Sequence, residues 1–140
     1  MPGGTGVYAA ARCERGYSVQ VVDPVEHHVD RATHIARERN LAQMTARMGD
    51  ARDLASCGTG YDAVLLLGPL YHLTERGDRL QAFAEAIRVA KPGGVVVAVG
   101  ISRFASLIDG LKHGVLCEPA LMAATAHMMV VGSTSSLPMC

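Results

Sequence analysis

Met1-Pro2-Gly3-Gly4-Thr5-Gly6 reads as a glycine-rich turn that opens straight into a helix. Such a turn normally joins a buried strand to a helix, and it lets backbone N–H groups come close to a ligand. The residues after it fit that place. Val7 to Arg15 can form a helix with Val7, Ala10, Ala11 and Cys13 on one face, and Gly16 is a natural C′ stop. Tyr17 to Val22 then reads as a strand ending at Asp23.

Further outward, strand and helix keep alternating. Pro24 suits a first helical residue. Val25, Val29, Ala32 and Ala36, with Ile35 beside them, give a helical stripe that runs out near Asn40. Met44 to Met48 is a short edge strand, and 53–60 a loop or a short turn of helix. Tyr61-Asp62-Ala63 leads into the apolar strand Val64 to Leu67, which Gly68-Pro69 stops. Residues 70–74 read as a loop. Asp78 is expected to cap the next helix, with Gln81 completing a capping box and Leu80, Phe83, Ala84 and Ile87 as its buried stripe. Lys91-Pro92-Gly93-Gly94 makes a tight turn before the apolar strand Val95 to Val99. A last helix is expected over 102–112, with Phe104, Leu107, Ile108 and Leu111 at helical spacing. Residues beyond Pro119 are small and Met-rich; 127–131 could be a short strand, and the last eight or so read as a mobile tail.

This alternation, with continuous apolar strands, predicts an α/β fold with a doubly wound, mostly parallel sheet whose strands are buried. Composition agrees. The chain has 140 residues, 49% hydrophobic and 19% charged, enough for one folded domain with an aliphatic core. Thirteen basic and thirteen acidic residues cancel, so charge gives no reason to expect nucleic acid as a partner. No apolar run approaches the roughly 18 residues of a membrane span, and no secretory leader is evident. Cys13, Cys57, Cys117 and Cys140 form no Cys-x-x-Cys pair and the histidines no metal-ligand spacing, so free thiols in the cytoplasm and no metal are expected.

Ligands of doubly wound sheets bind beyond the carboxyl ends of the strands. Asp23, Asp50 and the segment from Gly68 to His72 all fall there. Asp23 follows Gly6 by 17 residues, and a carboxylate at that place can accept from two ribose hydroxyls. It can equally cap the helix after it, and the two roles are compatible because a cap uses one oxygen. Asp50 could accept from the amine of adenine while the Ala51 N–H donates to the ring, or it is a solvated turn residue. Gly4-x-Gly6-x-x-Ala9, with Asp23 19 residues after Gly4, also fits the dinucleotide fingerprint, so an NAD-dependent oxidoreductase is a second reading.

Taken in order, Gly3-Gly4-Thr5-Gly6, Val21-Val22-Asp23, Gly49-Asp50-Ala51, Tyr61 to Gly68 and Lys91-Pro92-Gly93-Gly94 resemble the class I S-adenosylmethionine-dependent methyltransferases, nearest the small-molecule branch called type 11 or type 25. The resemblance runs from Met1 to about Lys112. It implies a Rossmann-like fold, S-adenosyl-L-methionine as cofactor and a small-molecule acceptor. Gly4 and Gly6, with Gly3 beside them, would bend around the methionine part. Asp23 would hold the ribose, and Asp50 and Ala51 would face the adenine. Leu67 and Gly68 would lie beneath the sulfonium, with Tyr71 and His72 on the acceptor side. His72 is the candidate general base.

The family pattern begins with a central strand and an acidic residue that would precede Met1, and Pro2 stands where its first glycine belongs. The chain is thus expected to be truncated at both ends, with 1–118 a partial cofactor-binding domain and 119–140 a divergent tail. The inner sheet edges would be left unpaired and open to self-association. A non-catalytic remnant or subunit needing a partner chain is the alternative to an active enzyme.

Overall fold

The computed structural model describes residues 6–102, 104–114, 122, 123 and 126. The chain divides into two compact units, Met1–Val99 and Gly100–Cys140.

Within the first unit, α1 (Val7–Cys13) starts at Gly6, whose φ is 77°. It is followed by β1 (Val19–Asp23), α2 (Glu26–Glu38) and β2 (Met44–Met48). β1 and β2 are parallel, in register from Val19↔Met44 to Asp23↔Met48. Small residues set this packing: Ala9, Ala10 and Cys13 of α1 meet Ala32 and Ile35 of α2, with Leu41 and Met44 closing the cluster. Burial pushes the Cys13 thiol pKa up, so it is a protonated core residue. α2 ends where Asn40 takes φ 52°, a left-handed turn that asparagine tolerates, and the Leu41 N–H reaches back to the Ala36 carbonyl at 2.8 Å.

Two expectations change here. α2 starts at Glu26 rather than Pro24, and Val25 is an exposed cap instead of a stripe residue. The reason is Asp23: its Oδ1 accepts from the Val25 N–H at 2.9 Å. That local turn holds Pro24 outside the helix.

β3 (Tyr61–Leu66), α3 (Pro69–His72), α4 (Arg76–Val89) and β4 (Ala90–Ala98) form the other half of the unit. β3 and β4 are parallel, from Ala63↔Val95 to Leu66↔Ala98. The expected turn at Lys91 to Gly94 lies within β4 as a bulge, because Tyr61 pairs with Ala90 and Ala63 already with Val95. The Lys91 ammonium bonds the Asp62 carboxylate across it. The expected loop at 70–74 begins as the one-turn helix α3, with Pro69 at its start, where its missing N–H costs nothing.

The buried stripe of α4 is Ala82, Ala86 and Val89; Leu80 and Ile87, expected inside, are 51% and 64% exposed. Both stripes are apolar, so periodicity could not choose between them. The small side chains are the ones that face inward, where they let a helix approach a sheet closely. The Asp78 capping box does not form: α4 starts at Arg76, and the Asp78 carboxylate bonds Arg52 instead. The strands are also less buried than their continuous apolar runs predicted. Val64, Leu66 and Val96 are at least half-buried, whereas Leu65, Val95 and Val97 are exposed. Among the described residues, one face of this pair is uncovered.

Among the described residues the two strand pairs share no backbone ladder. Side chains join them instead. The loop after β2, with its 3-10 turn Ala55–Cys57, is pinned to α4 by Arg52–Asp78 at 2.7 Å and by Glu85 accepting from the Leu54 N–H at 2.7 Å. The Tyr61 hydroxyl lies 2.5 Å from Gln20 Oε1 and 2.7 Å from the Cys57 carbonyl. One phenolic proton cannot serve two acceptors. Donation to Cys57, with the Gln20 amide turned to donate to the phenol oxygen, satisfies both contacts.

In the second unit the helix expected over 102–112 is α5 (Ala105–Lys112), three residues shorter at its start, and Phe104, its N-cap, and Ile108 and Leu111 of the expected stripe are exposed. Met122, Ala123 and Ala126 are helical. The rest of the expected tail, the strand at 127–131, Cys117 and Cys140 lie outside the described residues, while Cys13 and Cys57 are free thiols. No helix among the described residues is long and apolar enough to cross a membrane.

A Cβ added at Gly6 would sit 2.7 Å from the Ala32 Cβ and 2.9 Å from the Met44 Cε, whereas one at Gly16 would meet nothing. Gly6→Ala is expected to cost about 3–4 kcal/mol in urea denaturation, combining left-handed strain with overpacking, and Gly16→Ala about 1–2 kcal/mol from strain alone. A second prediction concerns acid. Arg88, and then the Leu54 N–H, hold the Glu85 carboxyl at about 2, below its ordinary 4.5. A depressed carboxyl stabilises the fold fully above the ordinary value and loses that contribution as pH falls toward the folded one. Glu85→Gln should therefore flatten the fall of the urea midpoint between pH 4.5 and about 2.

Candidate functional site

Parallel pairing brings strand ends together, and the β1–β2 pair ends on polar groups. Asp23 closes β1, and its carbonyl accepts from the Gly49 N–H at 3.2 Å just past the end of β2. A Cβ at Gly49 would fall 2.7 Å from Val22 Cγ1, so only glycine passes that close to β1. Asp50 follows at once. The expected ribose and adenine aspartates thus lie at the carboxyl ends of two neighbouring strands.

Their lone pairs are partly used. Asp23 Oδ1 accepts from Val25 N–H at 2.9 Å and from His28 Nδ1 at 3.0 Å. Oδ2 has no protein partner among the described residues. The cap and the free acceptor therefore coexist on one carboxylate. Asp50 Oδ1 accepts from the Arg52 N–H at 2.8 Å and from Nε at 3.0 Å, and Oδ2 accepts from Nη2 at 2.7 Å. Hydrogen bonds from Arg52 hold the Asp50 carboxyl below its usual range. One acceptor position on Oδ2 is left, and the Ala51 N–H donates to no described group.

The β3 end gathers the other expected residues. Gly68 follows Leu67 and precedes α3. The Tyr71 hydroxyl turns back to donate to the Leu67 carbonyl. The Tyr71 and His72 rings lie 4.7 Å apart, and His72 Cδ2 is 3.7 Å from where a Gly68 Cβ would stand. Leu67, Gly68, Tyr71 and His72 therefore form one cluster. His72 is exposed, and no hydrogen bond among the described residues orients its ring.

Gly3 and Gly4 lie outside the described residues. Gly6 is described, and its glycine requirement comes from its φ of 77° and from the closeness of Ala32 and Met44. No described hydrogen bond joins the Asp23–Asp50 cluster to the Gly68–His72 cluster, which lie on different strand pairs. Among the described residues no group of histidine, cysteine and carboxylate side chains could hold a metal.

Two residues at the site escaped the sequence reading. Arg52 fixes Asp50 and ties it to α4, and His28 holds Asp23. The signal for each was only spacing, two residues beyond one aspartate and five beyond the other. Neither spacing is informative until the turn geometry is known.

Comparison with known proteins places these features. The family model described as a methyltransferase domain matches residues 2–94, which take in all of β1, β2 and β3 and the start of β4. Among solved structures, the PH0226 protein from Pyrococcus horikoshii OT3 has a TM-score of 0.64 at 27% identity, over 79% of this chain and 50% of that one. The CcbJ methyltransferase from Streptomyces caelestis has a TM-score of 0.63 at 23% identity, over 68% of this chain and 39% of that one, a likeness of fold. The chain thus spans half the length of the first and less of the second. No curated protein matches. With parallel strand pairs, crossover helices and a family match over most of its length, the chain belongs to the methyltransferase-domain family and has a partial Rossmann-like fold.

Proposed function

We propose that this chain binds S-adenosyl-L-methionine along the edge formed by Asp23, Asp50 and Gly68 and directs methyl transfer to a small organic acceptor. The observation that carries the reading is Asp23. Its carboxylate is fixed through Oδ1, Oδ2 keeps no partner among the described residues, and its own carbonyl is bonded to Gly49, next to Asp50 in the chain. The donor set fits the cofactor. Oδ2 of Asp23 offers two lone pairs for a ribose diol, Asp50 keeps one for an exocyclic amine, and the Ala51 N–H is available to a ring nitrogen. When bound, the cofactor supplies a methyl group on a cationic sulfur, open to in-line attack.

The protein's share is alignment and exclusion of water. The carboxylates of Asp23 and Asp50 favour a cationic ligand at this edge. Gly68 keeps the floor of the β3 end low, and Tyr71, its hydroxyl turned inward to Leu67, presents ring surface to an acceptor. His72, beside Gly68, takes the proton where the acceptor must lose one. Zero net charge supports a small-molecule acceptor rather than nucleic acid, and a cytoplasmic setting without membrane attachment is part of the same proposal.

A second reading, a chain completed by a partner, is favoured by the absence of a ladder between β1 and β3. Each of these strands pairs on one side only among the described residues. Unpaired edges recruit strands, including those of a second copy.

Titration calorimetry with S-adenosyl-L-homocysteine tests the first reading. The chain should bind it. Asp23→Asn, which keeps a capping oxygen but loses the charge, should bind about 10- to 100-fold more weakly, as expected for lost hydrogen bonds to a charged group. No heat from the unaltered chain would remove the proposal. Sedimentation velocity tests the second reading: a concentration-dependent dimer is expected, and a single monomeric boundary across micromolar concentrations would exclude self-association.

A further inference from the structure

We infer that His28 is a positioning residue for the cofactor ribose, acting by locking the carboxylate plane of Asp23. The inference rests on the donor-binding reading above and adds to it a residue that does not itself touch the ligand.

An aspartate carboxylate turns about a broad torsion with no sharp staggered wells. One backbone hydrogen bond, from Val25 N–H to Oδ1, leaves that rotation incompletely fixed. His28 supplies the second donor. Its Nδ1 lies 3.0 Å from the same Oδ1, with side chains 25% and 17% exposed for His28 and Asp23. Because a carboxylate only accepts, Nδ1 carries the proton, whether the ring is neutral or charged. Two donors, one main-chain and one side-chain, then converge on one oxygen, and Oδ2 is the oxygen left for a ligand.

His28 is well held for this task. It lies in the first turn of α2, where its own N–H donates to the Val25 carbonyl at 3.0 Å. The two donors to Asp23, the Val25 N–H and the His28 ring, thus sit on residues tied to each other through the backbone. Asp23 in turn is tied to β2 through Gly49. Moving the His28 ring would release Asp23 while leaving the strand register intact. Outer partners of this kind tune affinity without contacting the ligand.

The test compares the unaltered chain, His28→Ala and His28→Asn by calorimetry with S-adenosyl-L-homocysteine and with its 2′,3′-dideoxy analogue, with circular dichroism melting of each. His28→Ala should lose about five- to tenfold in affinity for the hydroxyl-bearing ligand, a share of what a direct charged hydrogen bond gives. His28→Asn, whose amide can donate from a similar place, should recover most of it. Affinity for the dideoxy analogue should be nearly the same in all three, since the coupling runs through the ribose hydroxyls. Equal affinity of His28→Ala and the unaltered chain would overturn the positioning role while leaving the donor-binding reading in place. So would an equal loss for both ligands, which would make His28 a merely structural residue. Absence of binding by the unaltered chain overturns both readings together and is distinguished by appearing without any substitution.

Discussion

Parallel strand pairing is the constraint on which the rest depends. Two neighbouring parallel strands cannot be joined by a hairpin; a crossover must return the chain to the starting edge. α2 does this between β1 and β2, and α4 does most of it between β3 and β4. The consequence is chemical. Both carboxyl ends of a pair emerge at one edge, so residues 25 or more positions apart in sequence become neighbours without any specific contact being designed between them. Asp23 and the Gly49–Asp50 turn come to one end of the sheet for this reason, with the Gly49 N–H on the Asp23 carbonyl. The glycine at 49 is the local price of that closeness, since a side chain there would strike Val22.

The legible part of the fold was the part fixed by local chemistry. The runs from Val64 and from Val95 lie in β3 and β4 up to Leu66 and Ala98, and β2 falls on Met44–Met48. Gly16, with φ at 89°, stops the region after α1 where a C′ residue was expected. Illegible features were those with two locally acceptable answers. α4 is apolar on opposite faces, Ala82–Ala86–Val89 and Leu80–Ile87, and only the distance to the sheet decides between them. Asp78 has the right neighbours for a capping box, but a guanidinium from another segment offers its carboxylate a charge-assisted bond. Lys91 to Gly94 is a turn by composition, and it becomes a bulge only because β3 runs alongside it.

The candidate site divides in the same way. Its carboxylates were visible because strand ends are visible, but their lone-pair accounts were not. Asp23 is half committed and Asp50 mostly committed, and the difference comes from His28 and Arg52, whose contacts depend on tertiary turns. An Arg52 guanidinium shared by Asp50 and Asp78 also makes the loop after β2 a strut between the two strand pairs. Its contribution as an exposed pair is small energetically, on the order of a few tenths to 1 kcal/mol. Its geometric effect is to tie the loop to α4, a link it shares with Leu54 on Glu85, Gln81 on the Arg52 carbonyl and the Gly60 N–H on the Val89 carbonyl.

Between β1 and β3 the same question becomes one of mechanism. A backbone ladder would fix the distance between the Asp23 cluster and the Gly68 cluster along the full strand length. What joins those strands in the described residues is Tyr61 to Gln20, near the amino ends. That contact lies at the amino end alone. It limits separation there and leaves the carboxyl ends, where the chemistry would take place, to be set by the loop struts and by whatever binds between the clusters. A ligand touching Asp23 on one side and Gly68 on the other would therefore contribute to the order of its own site, and part of its binding energy would go into aligning the two halves. A strand pairing into the gap would supply that alignment beforehand. The two readings of the chain, donor binding and completion by a partner, are on this physical ground coupled: whatever closes the gap between β1 and β3 should also tighten the site at their ends.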